Sequence, residues 1–186
     1  MAIHGNTQLL IGKNAKLILS QKKTILKAIS NEDYVRSHHQ FLNASVGSHI
    51  RHSLDHFSKI LYRNNLHSSG VPIIDYDTRQ RNTSVQDDRS VGLKEVEKLM
   101  TLMDESDSFD YQLPVYVEHI GDSITGEKCR MSSSFGRELM FVSHHGLHHL
   151  FTIRLMMDSM AYPAGDAQLG VANSTLKHEH DNGIYR

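Results

Sequence analysis

Hydrophobic positions recur at intervals of three and four residues in four stretches of the chain. From about Asn14 to His39 they are Leu17, Ile18, Ile25, Leu26 and Ile29, with lysines between them. From Asn43 to Asn64 they are Val46, Ile50, Leu54, Phe57, Ile60 and Leu61. This spacing places apolar side chains on one face of an α-helix. The pattern therefore predicts two amphipathic helices, over 14–39 and 43–64, the second with Asn43 and Ser45 as possible caps.

Two further helices are predicted in the second half of the chain. Asp88 or Ser90 begins a shorter one, whose apolar positions are Val91, Val96, Leu99, Met100 and Met103. The fourth begins after the serines at 132–134 and ends before Pro163, and it is apolar on nearly every side between 139 and 160. A helix that is apolar all round is a buried one, so we expect the fourth helix to lie in the core.

The connections complete the predicted fold. The segment "HSSGVPIIDYDTRQRNTSVQDD" is rich in turn-forming residues and has no sustained period, which predicts a long crossover between the second and third helices. The alternation at Val115 and Val117 predicts a small hairpin or irregular excursion before the fourth helix. Four helices with one long connection predict an all-α fold, a four-helix bundle. We expect a single domain over 1–186, with a core at about 14–165 and a C-terminal arm at 166–186.

Composition narrows the classes of partner. The 20 basic and 21 acidic residues give a net charge of −1, which offers no electrostatic attraction for nucleic acid or an anionic membrane. The N-terminus lacks the pattern of a signal peptide, and no apolar run reaches the length of a membrane span. Cys129 is the only cysteine, so no internal disulfide forms. We expect a soluble, cytoplasmic protein with a small-molecule substrate, and a homodimer if the fourth helix buries one face against a second copy.

Histidine is the compositional outlier, with 14 residues, and most of the excess lies in two clusters. On the second helix His49, His52 and His56 share one face. On the fourth, His144 pairs with His148 and His145 pairs with His149, each at the i, i+4 spacing that lets two imidazoles chelate one ion. A third imidazole from the neighbouring helix would leave an open coordination position, as in catalytic metal sites. Zinc, nickel and iron all accept imidazole ligands.

The alternative is that these histidines are structural, each bonded to a backbone carbonyl or a carboxylate. Burying several unpaired imidazoles costs on the order of 1–3 kcal/mol each, and a shared metal ion offsets that cost. The clustering therefore favours a metal site.

The two histidine clusters also carry a family resemblance. "SVGSHIRHSLDHF" followed by "FVSHHGLHHLFTI" resembles the DinB/YfiT-like superfamily of metal-dependent four-helix-bundle proteins, and "DYDTRQR", "REL" and "GVANST" resemble a bacterial DinB-like subgroup of unassigned function. The resemblance spans about residues 14–176. It implies that His52, His145 and His149 hold the metal, with His144 and His148 as the alternative pair one residue away. Phe151 stands where iron-dependent relatives carry an acid, which argues against their iron site.

The resemblance implies an enzyme, either a metal-dependent hydrolase or a transferase that uses a low-molecular-weight thiol. His49 and His56 are candidates for proton transfer, because an imidazole titrates near neutral pH. Arg79 and Arg81 are candidates for binding an anionic group of a thiol cofactor or substrate, or else form solvated ion pairs. The competing hypothesis is a non-catalytic, metal-binding or stress-related helical scaffold.

Two further residues carry open alternatives. Glu138 precedes His145 by about two turns, so it is either an acceptor that fixes an imidazole tautomer or a carboxylate favoured at a helix start. Cys129 lies between Lys128 and Arg130, a setting that lowers the pKa of a thiol, but an incidental thiol is the commoner case.

Overall fold

The computed structural model describes residues 2–63, 65–78, 83–105, 108–162 and 168–184, with side chains from residue 6. Within these ranges the elements are α1 (Ala2–Ala28), α2 (Asn31–Val35), a 3-10 turn (His39–Phe41), α3 (Val46–Tyr62), β1 (Ile73–Asp75), α4 (Arg89–Asp104), β2 (Pro114–Ile120), β3 (Lys128–Ser134), α5 (Phe135–Ser159) and α6 (Asn173–Asp181). None of the helices described here is both long and apolar enough to cross a membrane.

The four long helices pack in pairs around a common core. Both α1 and α3 contact both α4 and α5. The core side chains include Ile18 and Leu26 of α1, Phe57 of α3, Leu99 of α4 and Leu139 of α5, all almost completely buried. The apolar periodicity that predicts the helices thus also supplies the side chains that join them.

A three-stranded sheet lies beside the helices, and the prediction of an all-α four-helix bundle is therefore wrong. Strand β2 pairs antiparallel with β3, with His119 opposite Cys129, and parallel with β1, with Ile74 opposite Val117. Of the two alternatives predicted before the last long helix, a small hairpin or an irregular excursion, the structure has the hairpin, formed by β2 and β3. Strand β1 was not predicted, because three residues inside a turn-rich crossover are too short to show a period.

The starts of three long helices are confirmed by their capping residues. Ser45 and Ser48 form a reciprocal capping box at the start of α3, Asp88 caps α4, and Ser134 caps α5. The first predicted helix is wrong at both ends, since α1 runs over Ala2–Ala28. Ser30 accepts a hydrogen bond from the backbone N–H of Asp33 and caps a separate short helix, α2. The chain therefore has two helices where one continuous helix to His39 was predicted.

The prediction that the last long helix is buried on all sides is also wrong. Met140, Phe141, Phe151 and Leu155 remain between 38% and 48% exposed along one side of α5. The C-terminal arm contains a helix of its own, α6, whose Asn173 donates a hydrogen bond to Asn14 of α1. The arm is therefore packed on the body of the protein through at least this contact.

Gly146 sets the approach of α5 to its neighbours. A Cβ atom there would lie 2.8 Å from Cγ2 of Ile18 and 3.2 Å from the ring of Phe57. We expect Gly146→Ala to lower the free energy of unfolding by about 1–3 kcal/mol, because overpacking outweighs the better helix propensity of alanine. Chemical denaturation measures this. An increase in stability would contradict the tight packing. Gly121→Ala, at the end of β2, is the control, because Gly121 is exposed and a Cβ there would have its nearest neighbour at an ordinary 3.6 Å.

Candidate metal centre

The packing of α3 against α5 brings five histidines into one cluster. His49, His52 and His56 come from one face of α3, and His145 and His149 come from α5. The close contact at Gly146, between the two α5 histidines, lets their imidazoles reach the facing helix. His56 and His149 are buried, whereas the other three are half-buried.

Two contacts between Nε2 atoms meet at His145 in this cluster. Nε2 of His145 lies 3.0 Å from Nε2 of His52 and 3.1 Å from Nε2 of His149. Two nitrogens bound to one metal ion at about 2.0–2.1 Å, at angles between 90° and 109°, lie about 2.8–3.4 Å apart. The observed separations fall within that interval.

Hydrogen bonding alone accounts poorly for this convergence. An imidazole nitrogen carries either one proton or one lone pair, directed along a single line in the ring plane. Nε2 of His145 therefore cannot make two well-aligned hydrogen bonds, to His52 and to His149 at once. Lone pairs directed at a shared cation satisfy both contacts, so the geometry suits ligands of one metal ion.

The third ligand has two candidates. The nitrogens of His52, His56 and His145 all lie within 4.8 Å of one another, which makes a three-histidine group. His149 joins this group through its 3.1 Å contact with His145. His52 and His145 belong to both sets, and His56 and His149 are the two candidates for the third ligand.

The other ring nitrogens have partners that orient the imidazoles. Nδ1 of His56 lies 2.9 Å from the carbonyl oxygen of His52, to which it donates, so its Nε2 carries the lone pair. Nδ1 of His149 lies 2.8 Å from Nδ1 of His49. If Nε2 of His149 binds a metal ion, its Nδ1–H donates to His49. Such outer contacts fix the tautomer and direction of metal-binding histidines.

Burial lowers the pKa of two histidines of the cluster, His149 and His49. Desolvation, followed by repulsion from His145 and His52, lowers the pKa of His149 to about 2. Burial is also the main cause of the lowered pKa of His49. A neutral imidazole keeps a lone pair, and metal ligation requires one.

A lysine lies beside the same cluster inside the core. Lys22 of α1 is completely buried, and its Nζ donates to the carbonyl oxygen of Gly146 over 3.3 Å. Burial lowers the pKa of Lys22 to about 7. The position belongs to the apolar face of α1, between Leu19 and Ile25, where the hydrophobic pattern calls for an apolar residue.

An aromatic ring connects the cluster to a buried acid. The Tyr76 ring stacks on His56 at 5.0 Å between centroids, and its hydroxyl donates to Oε2 of Glu138 over 3.0 Å. Glu138 is fully buried and also accepts from Ser133 and Arg137. The hydrogen bonds found for Glu138 go to these three side chains, so its link to the cluster runs through Tyr76 instead of directly to an imidazole. Burial is the main cause of the raised pKa of Tyr76.

The remaining candidates lie elsewhere. His144 and His148 are exposed on α5, and Arg79 and Arg81 lie outside the described residues. Cys129 has a partner that the sequence did not reveal, because Nε2 of His119 lies 3.0 Å from its Sγ. That contact depends on the register of β2 and β3, which brings residues ten apart opposite each other.

The lowered pKa of His149 predicts how stability depends on pH. An unfolded histidine binds a proton below about pH 6.5, whereas folded His149 does so only near pH 2, so protonation favours unfolding in between. We expect the free energy of unfolding of the metal-free protein to fall between pH 6.5 and 5, and His149→Gln to reduce that slope. Urea denaturation at several pH values measures it. The exposed control His148→Gln should keep the wild-type slope. A slope in His149→Gln equal to that of the control would contradict the prediction.

Comparison with known proteins gives one limited similarity. The chain is 28% identical over 111 residues to FK506-binding protein 5 of Rhizopus delemar, which covers 60% of this chain and 29% of that protein. The matched part is thus less than a third of the length of the relative. No family model matches the chain. No solved structure matches it either.

These findings overturn the DinB/YfiT-like resemblance. A DinB-like chain should match a model of that family, whereas the similarity found is to a protein of another name. Two of the motifs behind the resemblance are histidine spacings, which any pair of facing helices with a shared ligand set can carry, and the others are only three to seven residues long. The geometry of the histidine cluster does not depend on the family.

Proposed function

We propose that the histidine cluster binds one divalent transition-metal ion, zinc, nickel or iron, and that the protein is a metal-dependent enzyme. His52 and His145 are the common ligands, and His149 is the third, with His56 as the alternative. The observation that carries the proposal is the pair of contacts at Nε2 of His145, which lies 3.0 Å from Nε2 of His52 and 3.1 Å from Nε2 of His149.

Three imidazole ligands favour catalysis over a purely structural role. Structural zinc sites usually have four protein ligands, while catalytic sites leave a position for water or substrate. A metal ion held by three neutral imidazoles acts as a Lewis acid that activates water near neutral pH. Hydrolysis is therefore the reaction class we propose. Thiol transfer and a thiol cofactor rested on the overturned resemblance, and nothing else supports them.

The neighbouring residues would have distinct roles. His49 accepts the Nδ1 proton of His149 and so holds that imidazole with its Nε2 towards the site. His56 keeps its Nε2 lone pair and lies beside His145, with ring centroids 4.3 Å apart, where it can accept a proton from a reacting group. Tyr76 and Glu138 fix the position of the His56 ring from the other side.

Metal content tests the proposal. The untagged protein carries His178→Gln and His180→Gln, which remove the exposed histidines of α6. It is loaded with each ion and desalted, and its metal content is measured by plasma mass spectrometry. We expect about one ion per chain, lost in His52→Ala and retained in the exposed control His144→Ala. No retained ion, with the fold intact by circular dichroism, would contradict the metal site. Stoichiometric ion without turnover of ester or amide substrates would instead support the non-catalytic scaffold.

The similarity to an FK506-binding protein supports a second candidate, binding of FK506 itself. The shared segment is 28% identical over 111 residues and covers more than half of this chain. Calorimetric titration with FK506 tests it directly. Saturable binding with one site per chain would support this candidate, and no heat change at micromolar concentrations would leave the metal site as the better account of the protein.

A further inference from the structure

The approach to the histidine cluster runs along one face of α5. Arg137, Phe141 and His145 follow each other at i, i+4 and i+8, so they lie in one row with about 6 Å of helix axis between neighbours. The rings of Phe141 and His145 are nearly parallel, at 16°, with centroids 6.0 Å apart. The guanidinium carbon of Arg137 lies 5.6 Å from the centre of the Phe141 ring.

An aromatic surface therefore borders the cluster on its solvent side. Phe141 remains 38% exposed, and the centroid of its ring lies 5.4 Å from that of the Tyr76 ring. Tyr76 in turn stacks on His56. Two rings that flank the metal-ligating imidazoles give an apolar support for part of a bound molecule.

Arg137 adds a positive charge at the outer end of this row. Its side chain is 65% exposed, and NH1 donates to Oε1 of Glu138. A guanidinium has five donors, and among the described residues the hydrogen bonds found for this one use NH1 alone. The remaining donors of this exposed guanidinium match the two oxygens of a carboxylate or the oxygens of a phosphate.

The geometry points to a substrate with an apolar body and an anionic group, in which Phe141 supports the body and Arg137 binds the anion. This inference rests on the proposed metal-dependent function and assigns a substrate class to the same site. The reacting bond would then lie at the inner end of the row, beside His145, and the anion would lie at the outer end. Arg137 acts as a specificity-determining residue and takes no part in the reaction.

Two probes of equal size isolate the charge. Dissociation constants of 3-phenylpropionate and 3-phenyl-1-propanol are measured by ligand-observed NMR, on the zinc-loaded and on the metal-free protein. We expect the carboxylate to bind about five- to tenfold more tightly than the alcohol in both forms, as for one charge-assisted hydrogen bond at a partly exposed site. Salt at 1 M should reduce this preference, because it screens an exposed charge.

Variants assign the preference to Arg137. We expect Arg137→Met to abolish the preference for the carboxylate and Arg137→Lys to keep part of it. Because lysine still supplies a positive charge beside Glu138, Arg137→Lys is the variant to use if Arg137→Met folds poorly. Phe141→Leu should weaken both probes alike. Arg130→Met is the matched control, because that guanidinium also lies over an aromatic ring, Tyr116 at 5.7 Å, and pairs with an acid, Glu118, but on the hairpin.

The outcomes separate this inference from the proposed function. A preference for the carboxylate that survives in Arg137→Met and requires zinc would place the anion on the metal, and would overturn the inference. Equal binding of the two probes in the wild type would overturn it as well. An Arg137-dependent preference in a protein that fails to retain zinc after loading would support the anion site while removing the metal-dependent function.

Discussion

Lys22→Met should raise the free energy of unfolding at pH 7 by roughly 3–5 kcal/mol, because burial lowers the pKa of Lys22 from 10.5 to about 7. The side chain has no exposed surface, and within the described part of the chain one hydrogen bond is found for its amine, to the Gly146 carbonyl. Methionine has nearly the same shape and carries no charge to desolvate. The substitution therefore keeps the packing of α1 against α5 and removes the cost of the buried amine.

The pH dependence of this effect identifies its cause. Between pH 7 and 10.5 unfolded Lys22 binds a proton and folded Lys22 does not, so wild-type stability should rise with pH over that window. The advantage of Lys22→Met is then full at pH 7 and declines towards pH 10. Urea denaturation with a chelator present, which removes any contribution from metal binding, measures both proteins at each pH. Destabilisation at pH 7 would mean that Lys22 contributes more through its hydrogen bond than it costs through burial.

Loss of the His145 imidazole should have the largest effect on metal affinity. Nε2 of this residue is the atom that contacts both His52 and His149, so it belongs to either candidate ligand set. Changes to residues that only orient a ligand typically cost 10- to 100-fold in affinity, and removal of a ligand should exceed about 100-fold. We expect this loss in His145→Ala, measured by competition with a chromophoric zinc chelator.

The neighbouring residue provides the control. His144→Ala removes an equal side chain from the exposed side of α5, and we expect its zinc affinity to match that of the wild type. His149→Gln and His56→Gln then identify the third ligand, since only one of them should approach the loss seen for His145→Ala. Equal affinities in His144→Ala and His145→Ala would show that the ion binds elsewhere.

The sequence predicted the long helices and the facing histidines through local signals. Serine and aspartate caps and the apolar spacing placed the starts of α3, α4 and α5 closely, since both signals act within a few residues. The His52 and His145 side chains meet because each lies on the face of its helix that turns towards the other helix. The spacing of the apolar residues along each helix indicates which face that is.

What the sequence missed depends on contacts between distant segments. Strand β1 exists because Ile73–Asp75 pairs with β2 some 40 residues later, and no local pattern marks three such residues. The contact between His119 and Cys129 likewise follows from strand register. Lys22 was counted among the lysines between apolar positions, although it lies on the buried face itself. The family resemblance failed because short motifs with matching histidine spacings are not specific to one family.

X-ray absorption at the zinc edge tests the central claim most directly, because it counts the imidazoles around the ion. For zinc-loaded protein carrying His178→Gln and His180→Gln, we predict three imidazole nitrogens at about 2.0–2.1 Å and one fewer in His145→Ala. A spectrum with one imidazole or none, or one unchanged by His145→Ala, would contradict a three-histidine metal centre between α3 and α5.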